Sequence, residues 1–289
     1  MKEEHEETIR ARGKMPVLCK NRSIEQEELW TAIRQEAGQV YRKEFRLQSL
    51  IQEIVLDSQN LGEALSSRLS RKLAREDMKK EDVQSLLLEI FREHPSLVQS
   101  AAEDLEAIHS RDPACESPVE PLLFFKGFAA ICTYRVSHQL WKNGRQYLAY
   151  YFQSLASEVF SVDIHPAAQI GCGILLDHAT SFVVGETAII EDNVSILHEV
   201  TLGGTGKDSG ARHPIVRSGV LIGAGAKILG RVEIGENAKV GAGSVVLEDV
   251  AANTTVAGVP AALVGEMAGE SPAMGMNQSL RCNQRPQGN

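Results

Sequence analysis

The chain is poor in aromatic residues, which fill 5% of its 289 positions, and poor in positive charge, with a formal net charge of -8. Broad contact with a phosphate backbone or an anionic membrane needs clustered Lys and Arg, so neither nucleic acid nor a membrane is an expected partner. A local basic site for one small anion stays open. Long apolar runs are missing too, and the opening stretch Met1 to Lys14 is charged throughout, so it reads as neither a secretory signal nor a membrane span. The five cysteines, Cys19, Cys115, Cys132, Cys172 and Cys282, are too scattered for a zinc site or a disulfide framework. They fit a reducing cytoplasm, which is the expected location.

Glycine is well supplied, with 24 residues, and together with the scarcity of aromatics this hints at a repetitive scaffold. Two periods divide the chain. From Ser23 to about Ser157 apolar residues recur at helical spacing, as in Leu61, Leu65, Leu69 and Leu73, then Leu97, Ala101, Leu105 and Ile108. Ser23 with Gln26 resembles a capping box. Arg111-Asp112-Pro113 breaks the pattern, because the residue before proline is driven out of helical geometry. Helical spacing returns through Phe124, Phe128, Ile131 and Tyr134.

After Ser161 the period becomes six. Ile164, Ile170, Leu176, Phe182, Ala188, Val194 and Val200 stand at six-residue steps; the register slips by four, then resumes through Val216, Ile222, Ile228, Ile234, Val240 and Val246. Six residues make one short flat strand and a corner, with the aliphatic side chain inward and glycine or a small residue at the turn. Three such units close a triangular coil of eighteen residues, and stacked coils merge their aliphatics into one core. The slip falls in Gly203 to Pro214, a glycine-rich excursion that a regular scaffold does not need, which marks it as a functional loop.

Histidine is the natural general base near neutral pH. His165 and His198, each taken alone, read as ordinary surface histidines. His178 follows Asp177 and lies fifteen residues after Asp163, a spacing that permits a carboxylate to orient the ring. His213 lies in the excursion. The run Gly203 to Lys207 lacks the leading glycine of a phosphate-binding loop and has Asp208 at its Ser/Thr position. A catalytic metal is not expected, since no short histidine pair or nearby cysteine completes a ligand set.

Arg111-Asp112-Pro113-Ala114, Lys126-Gly127-Phe128, Val162 to Ala168, Leu176 to Thr180, Val200 to Lys207, Arg212-His213-Pro214 and Ala257 to Ala261 together resemble bacterial serine acetyltransferases over about Glu25 to Gly265. The resemblance implies an α+β chain in which an N-terminal all-helical domain, residues 23–160, precedes a left-handed parallel β-helix of hexapeptide repeats, residues 161–262, with the loop at 203–214. Residues 1–22 are then a disordered extension and 263–289 a mobile tail. It implies a serine O-acetyltransferase that moves acetyl from acetyl-CoA, a co-substrate rather than a prosthetic group, to L-serine in the first step of cysteine biosynthesis, with cysteine as feedback inhibitor.

On the family's pattern His178 is the catalytic base and Asp163 its support. Asp112, Pro113 and Asp177 meet the serine substrate, carboxylates facing its ammonium, while Arg212 suits its carboxylate and His213 adds a polar contact. Gly204, Thr205, Gly223 and Ala224 would line acetyl-CoA; Lys227 and Lys239 are available to its phosphates, although lysine is a common surface residue. Relatives look like homotrimers or dimers of trimers, with sites between neighbouring prisms. Many end in an isoleucine that enters O-acetylserine sulfhydrylase; this chain ends Pro286-Gln287-Gly288-Asn289, which puts that partnership in doubt.

Overall fold

The computed structural model describes residues 23–206, 209–267 and 271–280, with side chains from Gln26 onward. The extension 1–22, the side chain of Ser23 in its pairing with Gln26, Lys207 and Asp208 therefore lie outside the described part. Among the described residues no helix is long and apolar enough to cross a membrane.

The helical half follows its apolar spacing. Helix α1 (Ser23–Lys43) leads through a 3-10 turn, the short α2 (Gln48–Ile51) and a π-type turn into α3 (Leu61–Leu73), α4 (Lys80–Glu93) and α5 (Pro95–Arg111). The Asn60 side chain caps α3 by accepting from Glu63 N-H at 3.0 Å, and the Glu63 carboxylate accepts from Gln59 N-H at 2.7 Å, a reciprocal pair that satisfies two otherwise orphaned donors. Helix α5 opens on Pro95, where no N-H is needed. It stops at Asp112, held extended (φ -89, ψ 109) ahead of Pro113. Then come α6 (Val119–Leu123), α7 (Lys126–Lys142) and α8 (Gln146–Phe160).

Helix α7 is buried almost all round and forms the seam with the second half. Tyr134 donates to Ala168 O at 2.5 Å and His138 Nδ1 to Pro166 O at 2.7 Å. Arg135 pairs with Asp104 of α5 at 2.6 Å and reaches Gly171 O at 2.8 Å, while Asp104 also accepts from Ile174 N-H at 2.8 Å. Gly127, near the start of α7, lies so close to the solenoid that an added Cβ would stand 2.0 Å from Leu176 O. Alanine normally stabilises a helix interior relative to glycine. Here the added Cβ, fixed to its own backbone, meets a backbone carbonyl that cannot swing aside, so Gly127→Ala is expected to destabilise the protein by about 1–3 kcal/mol, read as a lower urea midpoint.

The second half is a parallel solenoid of three sheets. One face stacks β1 (Val162–Ile164), β4 (Phe182–Val184), β7 (Thr201–Gly203), β10 (Lys227–Leu229) and β13 (Val245–Val246). A second stacks β2 (Gln169–Ile170), β5 (Ile189–Ile190), β8 (Ile215–Val216) and β11 (Glu233–Ile234). The third stacks β3 (Leu175–Leu176), β6 (Ser195–Ile196), β9 (Leu221–Ile222), β12 (Lys239–Val240) and β14 (Thr254–Ala257), and ends with β15 (Ala262–Glu266), antiparallel to β14. Of the thirteen six-step positions only Ile170 is not fully buried.

The strand register corrects the single slip of four. Val162 pairs with Phe182, twenty residues on, Val183 with Thr201 after eighteen, Thr201 with Lys227 after twenty-six, and Lys227 with Val245 after eighteen. Two insertions are present, two residues between β3 and β4 and eight between β7 and β8. Their total is equivalent to a shift of four in a six-residue period. The column of partners is therefore Ile164, Val184, Leu202, Ile228 and Val246. Alternate residues of a strand share a face, so a shift of two lands on another inward residue. Phe182 and Val200 are fully buried, and hydrophobicity alone cannot register the insertion.

The stretch expected to be a mobile tail is instead laid on the solenoid as far as it is described. Strand β15 covers the last coil, closing an otherwise open edge. Ser271 Oγ donates to Gly219 O and Ser195 Oγ to Ala273 O, both at 2.9 Å, and Pro272 and Ala273 of the short α9 (Pro272–Gly275) are buried. Residues 281–289, with the terminal Asn289, lie outside the described part.

Candidate active site

The face formed by β1, β4, β7, β10 and β13 has a column of corners along each side, and the candidate residues divide between them. The column where the third sheet turns into this face holds Asp177 and His178, within the two-residue insertion. The backbone there is left-handed at His178 (φ 56), Ala179 (φ 60) and Ser181 (φ 58). Such conformations cost non-glycine residues energy and persist where the surroundings enforce them. Ser181 N-H donates to Ser161 O at 2.8 Å, Glu199 N-H to Thr180 O at 2.7 Å, and the Lys126 ammonium to Thr180 Oγ1 at 2.5 Å.

This bulged corner projects the His178 side chain, 74% exposed, with Nε2 3.7 Å from Asp177 Oδ2. Asp112, at the end of α5, faces the same corner; one carboxylate oxygen accepts from Ala114 N-H at 2.9 Å. Burial pushes the Asp177 carboxyl above its ordinary range, His178 pulls it down, and the like charge of Asp112 raises it further. Pro113 is exposed beside Asp112. Arg111, next to it, is buried and donates to Gly173 O and Asn193 Oδ1, both at 3.0 Å, which fixes the end of α5 against the solenoid.

The opposite column gathers His165, Glu186, Thr187, Arg212 and His213, with Asp163 beside His165 in strand β1. Arg212 pairs with Glu186 at 2.6 Å, and this bond holds the Glu186 carboxyl below its usual range. His213 is nearly buried. Its Nδ1 accepts from Thr187 N-H at 3.2 Å and contacts Thr187 Oγ1 at 2.9 Å. That hydroxyl already accepts from Arg212 N-H and His213 N-H at 2.9 and 3.1 Å, so its own hydrogen goes to Nδ1. In the neutral ring the hydrogen then sits on Nε2. Burial, reinforced by the charge of Arg212, lowers the His213 pKa and keeps the ring neutral. The ring lies over Gly185, where a Cβ would come within 2.1 Å of Nε2. Glu186, Thr187 and Gly185 were not singled out from the sequence; a glycine stacked on a histidine ring leaves no mark in residue spacing.

Asp163 and His178 do not form the expected pair within one chain. Asp163 Oδ1 accepts from Gln153 at 2.6 Å, and the carboxylate beside His178 is Asp177. Fifteen residues fall short of a full coil: Val183 of β4 is the residue stacked on Asp163, and His178, two residues past the end of β3, stands at the corner before β4. His198 stands with His178, ring centroids 5.7 Å apart. His165 lies against Trp141 and Tyr150 at 5.3 and 5.7 Å.

Gly223 and Ala224 occupy the His178 column further along, where a Cβ on Gly223 would meet Ala242 N at 2.5 Å. Gly204 and Thr205 are exposed just after β7. Lys227 donates to Glu199 O, and Lys239 is buried, its ammonium donating to Ser279 O at 2.7 Å and Asn277 O at 3.2 Å. As arranged here the docked tail, rather than an open surface, faces Lys239, and the expectation of an available phosphate partner is corrected accordingly. Among the described residues no group of three His, Cys, Asp or Glu side chains is arranged to hold a metal ion.

Residues 29–133 match the family model described as "Serine acetyltransferase, N-terminal", and residues 213–248 match "Bacterial transferase hexapeptide (six repeats)". The serine acetyltransferase of Salmonella typhimurium is 51% identical over 254 residues, covering 88% of this chain and 93% of that protein. A solved serine acetyltransferase in complex with cysteine superposes with a TM-score of 0.87 at 51% identity, covering 88% of this chain and 99% of the other. One from Brucella abortus in complex with coenzyme A gives a TM-score of 0.82 at 47% identity, covering 83% and 96%.

Proposed function

Because this chain belongs to the serine acetyltransferase family, we propose that its two corner columns are the two halves of one acetyl-transfer site, completed when the His178 column of one prism faces the Arg212 column of a neighbouring copy. The reaction takes acetyl from acetyl-CoA to the hydroxyl of L-serine, releasing CoA and O-acetylserine. The observation that carries the reading is the division of the site. One column has the base and the two carboxylates Asp177 and Asp112, the other has the guanidinium, the neutral His213 and Asp163, and the first column leaves His178 open to solvent.

In the completed site Asp112 and Asp177 suit the serine ammonium, and Arg212 matches its carboxylate with a planar fork of donors. His213 offers an Nε2-H to a serine oxygen. His178 takes the hydroxyl proton as the oxygen attacks the thioester carbonyl, and Asp163 of the neighbour supports the imidazolium. The imidazolium then returns the proton to the departing sulfur. Transfer is direct, since both substrates lie side by side and the thiols of Cys115, Cys132 and Cys172 are buried. The pantetheine arm would follow Gly223 and Ala224 on one copy and Gly204 and Thr205 on the other.

Cysteine has the same ammonium and carboxylate as serine, so it occupies the same pocket as a feedback inhibitor. The test is thiol release from acetyl-CoA with and without L-serine, then with cysteine added at several serine concentrations. Release should require serine, and rising serine should relieve the inhibition. Serine-independent release would sink the activity, and inhibition that serine leaves untouched would sink the shared pocket.

A further inference from the structure

The corner column that begins at His178 holds a second histidine. Gly225 N-H donates to His198 O at 2.9 Å and Gly243 N-H to Ala224 O at 2.8 Å, and Glu199 N-H meets Thr180 O one coil earlier. The corners around His178, His198, Ala224 and Gly243 are thus stacked in order along the axis. An acyl donor lying from Ala224 towards His178, as in the proposed acetyl-transfer site on which this inference rests, must pass His198. Its neighbours on that corner are poor candidates for touching an acyl oxygen: Leu197 is buried, and Glu199 is an acid.

The ring of His198 stands at 71° to that of His178, with centroids 5.7 Å apart. Its Nδ1 is buried and has no hydrogen-bond partner among the described residues. An unpaired buried nitrogen is uncommon and calls for a physical reason. Neither an acceptor nor a donor stands beside Nδ1, and a buried N-H without a partner is rarer than a buried acceptor without one, so the neutral ring is assigned its hydrogen on Nε2, which is not among the buried unpaired atoms. On that assignment the ring next to the imidazole that takes the serine proton carries an N-H donor.

We propose that His198 donates this N-H to the carbonyl oxygen of the acetyl thioester as that oxygen becomes an oxyanion, making it a catalytic residue beside His178. The serine oxygen forms the new C-O bond and its proton passes to His178. The carbonyl electron pair moves onto the oxygen held by His198, then returns as the C-S bond breaks. Sulfur leaves with the bonding pair and takes the proton from His178. A donor aimed at developing charge acts mainly in the transition state, so its loss appears in kcat rather than in KM.

The experiment compares His198→Ala and His198→Gln in the full-length assembled enzyme, measuring kcat and KM for acetyl-CoA and L-serine by thiol release, with urea unfolding of each variant. Alanine is expected to lower kcat on the order of 10²-fold or more while both KM values stay within about threefold. Glutamine, which retains an N-H donor, should recover most of that loss. A normal kcat in the alanine variant, a loss confined to KM, or equal losses in both variants would overturn the assignment. His178→Ala serves as the control: if it keeps its turnover, the reading of the whole site fails, whereas a silent His198→Ala beside an inactive His178→Ala removes this inference alone.

Discussion

His178→Ala is expected to lower turnover by about 10²–10⁴-fold, the usual contribution of a positioned general base. The His178 side chain is 74% exposed, so its removal deletes little packing. The corner itself is held by backbone bonds from Ser181 to Ser161 and from Glu199 to Thr180, which the substitution leaves in place. Left-handed geometry at residue 178 is open to alanine, since Ala179 already adopts it (φ 60). Folding and the urea midpoint should therefore be nearly unchanged. Thiol release reports turnover, and circular dichroism reports the fold. A folded variant that turns over within about tenfold of the parent would show that proton removal does not depend on this ring.

The largest expected effect on stability belongs to Asp104→Ala. Asp104 and Arg135 are almost completely buried, with side chains 1% and 6% exposed, and they pair at 2.6 Å between α5 and α7. The carboxylate also accepts from Ile174 N-H, while Arg135 donates to Gly171 O, so one pair holds two helices and a solenoid corner together. Burial pushes the Asp104 carboxyl upward and the charge of Arg135 pulls it back. Removing the carboxylate strands a guanidinium in a dry interior and orphans an amide, which costs about 3–5 kcal/mol. Urea unfolding should show a clear drop in midpoint. An unchanged midpoint would mean that water or a rearranged donor replaces the acid without cost.

The helical half and the solenoid were legible because burial imposes a period, 3.6 in one half and six in the other. The end of α5 at Asp112 was legible because Pro113 enforces it. What spacing could not give was the corner at 177–181. Phe182, Ala188, Val194 and Val200 fit the six-residue count although the strand register has moved by two, since either set of alternate residues points inward. Asp163 and His178, fifteen residues apart, are less than one coil apart, so Asp163 stands in β1 and His178 at the corner that precedes β4. The docking of Ser271 to Leu280 was also invisible, because it depends on single hydrogen bonds to Gly219, Ser195 and Lys239 rather than on any repeat.

Both insertions fall at turns flanking the face on which the proposed site is built, while the strand ladder between them is kept. Across both turns the parallel pairing is kept, β1 with β4 on one side and β7 with β10 on the other. The scaffold can therefore be edited at its working edges, lengthening or shortening a turn to reshape the acceptor pocket, without renegotiating its interior. Change of chemical repertoire and preservation of the frame are thereby uncoupled.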